Sequence, residues 1–198
     1  MIRSANESFY TSLFFGYSLW TASDILLATG TPAYVGLETV DCTDCVGSTY
    51  DYTANTDTYT DTGVEFIDWM NTDTTTIAQD WVCPMNNEDT CVTDFMWLNM
   101  KTDNSDMKGY MGLNLDNSVI EDYYPDDPLY PSLPQAMYDA NIIPEPIFSL
   151  ALTGDASNTN WIDYGFINTA QITSENDLVT MNSEWDSTYE YLYWALNF

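Results

Sequence analysis

The chain has 198 residues, 45% of them hydrophobic and 15% aromatic, which is enough to bury a sizeable core in a single domain. It carries 31 Asp plus Glu against 3 Lys plus Arg and no His, a formal charge of −28 at pH 7. Phosphate backbones and anionic membrane surfaces repel such a polyanion, so nucleic acid is excluded as a partner, and divalent cations, basic proteins or neutral glycans remain. With Arg3, Lys101 and Lys108 as the only bases, few internal ion pairs can form, and acid, salt or divalent cations are expected to relieve the self-repulsion.

Short runs rich in Tyr, Trp, Thr, Val and Ile, broken by Thr, Asn, Asp, Gly or Pro, predict a mainly β chain. Asn6-Glu7-Ser8 is an N-glycosylation sequon, usable at Asn6 in a secretory compartment. Strands are predicted at Phe9 to Phe15, Ser18 to Leu27 and Ala33 to Val40, with breaks at Gly16 and Gly30, which reads as a β-meander. The polar stretch Thr43 to Gly63 reads as surface loop and turn. Further strands are predicted at Val64 to Met70, Thr74 to Val82 and Thr93 to Asn99, followed by a polar turn from Lys101 to Lys108.

After Gly109 to Leu113 comes an acidic, proline-bearing loop, and then one helix from Leu133 to Ala140, with Pro134 in its first turn, Asn141 as its cap and Pro144 as its stop. Ile147 to Leu152 reads as a buried strand and Thr153 to Asn160 as a turn. Strands near Trp161 to Ile167, Gln171 to Thr173, Leu178 to Met181 and Tyr189 to Leu196 complete the chain. No repeat of fixed period and no long linker interrupts it, so residues 1–198 are expected to form one domain.

Four cysteines form two locally spaced pairs, which predicts disulfides Cys42–Cys45 and Cys83–Cys91 and an oxidising compartment: extracellular, secretory or cell surface. A redox CxxC and a zinc site of four thiolates are the alternatives. There is no apolar run of transmembrane length and no secretory hydrophobic region. Glu121-Asp122, Asp126-Asp127 and Asp103 with Asp106 are candidate Ca²⁺ ligands, but none has EF-hand spacing, so solvated loop charge is the simpler reading and no cofactor is expected. Trp69, Trp81, Trp97, Trp161, Trp185 and Trp194 are expected mostly in the core, the alternative being platforms for sugars.

Several segments, in order, resemble the amino-terminal lobe of the pepsin-like aspartic proteases. Ile25-Leu-Leu-Ala28-Thr29-Gly30-Thr31 resembles the apolar strand running into Asp-Thr-Gly-Ser, and it is followed by a strand and a small Cys42–Cys45 loop. Lys108-Gly-Tyr-Met-Gly-Leu113 stands where the family has a phrase like Asp-Gly-Ile-Leu-Gly-Leu. The helix and the stretch from Pro134 to Phe148-Ser-Leu150 are the most specific match, and Asn160 to Phe166 and Glu190 to Leu196 resemble later strands. The resemblance implies a single pepsin-like lobe, a β-barrel or sandwich of antiparallel strands with one or two short helices.

It also implies that Ala28 occupies the position of the catalytic aspartate. In that family two aspartates, one from each lobe, share a proton and hold the attacking water, a dyad that is itself a standard example of a coupled carboxyl pair. Ala28 cannot titrate, no second such aspartate is recognisable in these residues, and Phe66 to Thr72 lacks the Tyr-Gly pair of the family's flexible hairpin. The expected protein is therefore not an enzyme. Asp61-Thr62-Gly63 spells the catalytic tripeptide, but it follows the polar stretch Thr56 to Thr60 rather than a buried apolar strand.

Three functions compete. The leading one is an extracellular structural protein that assembles into homo-oligomers or filaments through the low-charge strand bearing Tyr189, Tyr191, Tyr193, Trp194, Leu196 and Phe198. The second is a non-catalytic module that binds a peptide or glycan. The third is a homodimeric aspartic peptidase using Asp61.

Overall fold

The structure, a computed structural model, describes residues 3–5, 8–17, 21–28, 34–43, 45, 49–54, 56–66, 75–101, 108–113, 131–151 and 160–169. In chain order the elements are β1 (Arg3–Ala5), β2 (Ser8–Phe15), β3 (Thr21–Ala28), β4 (Val35–Glu38), β5 (Thr60–Phe66), β6 (Thr75–Cys83), β7 (Val92–Met100), β8 (Gly109–Gly112), α1 (Leu133–Asp139), β9 (Phe148–Ala151) and β10 (Trp161–Tyr164). Short 3-10 turns at Tyr52–Ala54 and Glu88–Thr90 complete the set.

Eight strands form one sheet in the order β1-β2-β3-β8-β4-β7-β6-β5, and β2 also pairs with β6 through Phe14↔Cys83 and Phe15↔Val82. That extra pairing closes β2, β3, β8, β4, β7 and β6 into a six-stranded barrel, with β1 and β5 as flanking strands. Closure removes most exposed strand edges. The protein is thus mainly β with few helices, as its composition predicts.

Period-two alternation decides what lies inside. Thr11, Leu13 and Phe15 of β2, Ala78, Asp80 and Val82 of β6, and Phe95, Trp97 and Asn99 of β7 are all buried at alternate positions. With Ile25, Val35, Leu37, Tyr50 and Met111, their apolar members form the main core. Residues of opposite parity, Ile77, Leu98 and Tyr110, build a second apolar layer with Tyr34. Burial on both faces explains why β6 and β8 read as near-continuous buried runs rather than alternating ones.

Two glycines allow this double layering. A Cβ on Gly36 would lie 2.5 Å from Cε1 of Tyr110, and one on Gly109 would lie 2.7 Å from Cδ1 of Ile25. The Tyr110 ring therefore lies directly over the backbone of β4.

α1 closes one side. Ser132 caps it by accepting from the Gln135 N–H at 3.4 Å, Leu133, Ala136 and Met137 are buried in the core, and Asn141 ends it at a left-handed φ of 59°. Beside it β9 and β10 pair antiparallel and place Phe148, Leu150, Ile162 and Tyr164 against the same core.

Three sequence expectations need correction. The first three long strands do not make a meander, because β8 lies between β3 and β4, parallel to the first and antiparallel to the second. The barrel is not wholly antiparallel either, since β4 also runs parallel to β7. The stretch from 43 to 63 is not simply surface loop. Tyr50 is 1% exposed within the core, and β5 begins at Thr60, because the aromatic side chains of this polar stretch find apolar surface that its hydroxyl-rich neighbours conceal in the sequence.

Both disulfides form as expected. Cys83–Cys91 ties the end of β6 to the start of β7 and is buried, and Cys42–Cys45 closes a half-exposed loop after β4.

Candidate functional site

Ala28 ends β3. It sits opposite Gly112 of β8, with Leu27 opposite Met111, and the Leu113 N–H donates to the Ala28 carbonyl at 2.9 Å. Across β8, the Gly112 N–H donates to the Tyr34 carbonyl at 2.8 Å. The two segments Ile25 to Ala28 and Lys108 to Leu113, distant in sequence, are thereby neighbours at one end of the barrel. The Ala28 methyl can neither give nor take a proton there. Thr29, Gly30 and Thr31 lie outside the described residues, as do the Phe66 side chain and residues 67–74 between β5 and β6.

Asp61 occupies a different setting, on the flanking strand β5 and exposed to solvent. Its Oδ1 accepts from the Gly63 N–H at 2.9 Å, and its Oδ2 faces Lys101 Nζ at 3.4 Å. Thr62 Oγ1 donates to the Ile77 carbonyl at 2.8 Å, and the register shifts between Asp61 and Glu65 while Gly63 adopts a φ of 69°. The tripeptide is a bulge-forming turn on an outer strand. Proton sharing needs two carboxyl groups in contact, and Asp61 is paired instead with a lysine.

The chemically unusual carboxyl group is one that the sequence reading missed. Asp80 is 0% exposed and points into the barrel between Ala78 and Val82, where the β6–β7 register also shifts. Tyr50 Oη donates to its Oδ2 at 2.5 Å, the Trp81 backbone N–H donates to its Oδ1 at 2.7 Å, and the Thr58 side chain adds a third hydrogen bond. Burial pushes its pKa up, and these three donors only partly oppose the shift. One feature of the sequence could have found it: Asp80 shares parity with the apolar Ala78 and Val82 of its strand.

A second polar chain runs beside it. Thr39 Oγ1 donates to Asn99 Oδ1 at 2.8 Å, and Asn99 Nδ2 donates to Tyr59 Oη at 3.1 Å. The Tyr59 ring stacks on Tyr52 at 4.0 Å, and Tyr52 Oη donates to Asp41 Oδ1 at 2.8 Å. That hydrogen bond, followed by burial, pushes the Tyr52 phenol up to about 12, while burial and then the charge of Asp61 push Tyr59 up as well.

On the outer surface, Tyr138, Asp139, Asn141, Ile142, Ile143 and Pro144 line an open cleft of about 590 Å³. The backbone of Gly165 abuts Ile143 and Pro144 so closely that a Cβ would fall 2.7 Å from Ile143 Cβ. Phe166 and Ile167 follow directly and are 50% and 55% exposed, with Tyr138 at 43%. Three large, exposed apolar side chains are thus carried by the two segments that meet at Ile143 and Gly165.

The other predicted sites divide clearly. Trp97 is core, and Trp81 packs against exposed Tyr17 with ring centroids 4.6 Å apart. Asn6, the acidic groups at 103, 106, 121, 122, 126 and 127, Trp69, Trp185 and the strand from Tyr189 to Phe198 lie outside the described residues. Among the described residues no cluster of His, Cys, Asp or Glu is arranged to hold a metal, and the four thiols are consumed in disulfides rather than a zinc site. No described helix is long and apolar enough to cross a membrane.

No family model matches this chain, and no curated protein matches it in sequence.

Proposed function

We propose that this protein is a catalytically silent, pepsin-like β-barrel that serves outside the cell as a self-associating structural protein. The observation that carries the association is the exposure of Tyr138 on the outer cleft and of Phe166 and Ile167 next to Gly165, which packs against Ile143 and Pro144. Two disulfides support an oxidising compartment. The side-by-side placement of Ala28 and Gly112 supports the pepsin-like reading, because it joins two of the segments that carry the resemblance. Burying side chains of this size contributes roughly 1.5–3 kcal/mol each. With a charge of −28 on every copy, association depends on screening by salt or divalent cations.

Sedimentation velocity over a range of concentrations, with and without calcium, tests this reading. The native chain is expected to assemble when calcium or salt is present, and Phe166→Ser/Ile167→Ser, or removal of residues 189–198, is expected to leave a folded monomer. A native chain that stays monomeric at high concentration defeats the self-association reading and leaves a non-catalytic binder of peptides or glycans in its place.

The silent site makes its own prediction. Denatured protein substrates are expected to stay intact from acid to neutral pH, because Ala28 carries no titratable group and Asp61 faces solvent beside Lys101. Pepstatin-sensitive cleavage that disappears in Asp61→Asn would instead establish the peptidase reading.

A further inference from the structure

We propose that the barrel binds a structural water molecule between Thr76, Asn99 and Tyr59, at the end of the β6–β7 pair away from its disulfide. The site starts from a hydroxyl that the fold encloses and leaves unbonded. Thr76 is 7% exposed, and its Oγ1 has no hydrogen-bond partner. A buried polar atom in that condition costs free energy, and native folds keep few of them. Thr76 shares parity with Ala78 of the main core, so the hydroxyl is carried on the inner face of the sheet. Its partner on β7 is Asn99, which is 0% exposed, and side chains paired in this way have Cβ atoms about 4.5–5.5 Å apart on one face. Its partner on β5 is Glu65, which is exposed.

Asn99 and Tyr59 supply the rest. Asn99 Oδ1 accepts from Thr39 Oγ1 at 2.8 Å, and Asn99 Nδ2 donates to Tyr59 Oη at 3.1 Å. An amide nitrogen carries two hydrogens, and a phenol that accepts still has its own proton to give, so one N–H and one O–H remain to be placed. Together with Thr76 Oγ1 they match a buried water, which makes about three hydrogen bonds to polar groups that the fold leaves over. The same set selects against ions. Its N–H and O–H hydrogens repel a cation, and an anion is opposed by the charge of −28. The position gives the water a structural role. Cys83–Cys91 pins one end of the β6–β7 pair, and the water ties the other end to the residues before β5 through Tyr59 and to Thr39 after β4 through Asn99.

A crystal structure of the full chain that resolves ordered water tests the site directly. Density is expected within about 2.7–3.2 Å of Thr76 Oγ1 and of Asn99 Nδ2 or Tyr59 Oη. Urea unfolding of Thr76→Val gives a second, independent reading. Val differs from Thr by a methyl for the hydroxyl and suits a strand equally well. Were the hydroxyl dry, this change would remove an unpaired buried polar group and raise the urea midpoint. With the water bound it takes away one of the water's partners, so the midpoint is expected to fall and the folded-to-unfolded ratio to drop about two- to tenfold. Native density with no water between these groups overturns the proposal, and so does a Thr76→Val midpoint at or above the native one. Should Thr76→Val not fold, the native density decides alone.

Discussion

Trp97→Ala is expected to lower the unfolding free energy by about 3–5 kcal/mol, a large share of the roughly 5–15 kcal/mol that holds a domain together. Trp97 is 0% exposed, and Phe15, Tyr50 and Tyr59 surround it with ring centroids 5.5, 6.1 and 6.2 Å away. These neighbours come from two parts of the chain distant from β7, so a cavity here loosens β2, β7 and the β4–β5 crossing together. The barrel is closed by backbone pairing, which limits its collapse into the space. Trp97→Phe is expected to lose much less. The indole N–H has no hydrogen-bond partner, so its removal leaves no orphaned acceptor behind. Urea unfolding with an unchanged m-value checks both variants, and equal losses for Ala and Phe would show that cavity size is not the determinant.

The double change Cys83→Ala/Cys91→Ala is expected to cost about 2–3 kcal/mol, and Cys42→Ala/Cys45→Ala less, since closing a longer loop removes more freedom from the unfolded chain. The two bridges span 8 and 3 residues respectively. The longer one also pins the ends of β6 and β7 where β2 closes the barrel at Cys83 and Val82. Cys83 is 0% exposed, whereas Cys42 and Cys45 are half-exposed, so a mild dithiol is expected to open Cys42–Cys45 first. Timed alkylation with peptide mass mapping gives the order. Simultaneous opening would mean that Cys83 becomes accessible through a breathing seam.

Much of the fold was legible in local pattern. β2, β6, β7, β9 and α1 lie within a few residues of where alternation, Gly breaks and capping residues put them. Asn141 ends α1 with the left-handed turn that its side chain tolerates. The cysteine spacing favoured both disulfides over the redox and zinc alternatives, because a loop this short brings its two thiols close together.

The candidate sites were less legible. The sequence motif at Asp61 drew attention to a carboxyl that is exposed on a flanking strand, while Asp80, with no motif around it, is the one the barrel encloses. Parity with Ala78 and Val82 is the one local hint that Asp80 faces a core. The difference lies in which side of the strand the closed sheet turns inward, and in whether Tyr50 and Thr58, distant in the chain, arrive to donate hydrogen bonds.

By itself, then, the amino-acid sequence determined the β class, the sites of most strands, the single described helix, the disulfide pairs and the absence of a titratable group at position 28, since each follows from residue type and short-range spacing. Only the tertiary structure decided that β8 lies between β3 and β4, that β2 meets β6 to close the barrel, and that Asp80 is enclosed within it. Strand partners are chosen by contacts between residues far apart in the chain, and no local period encodes them.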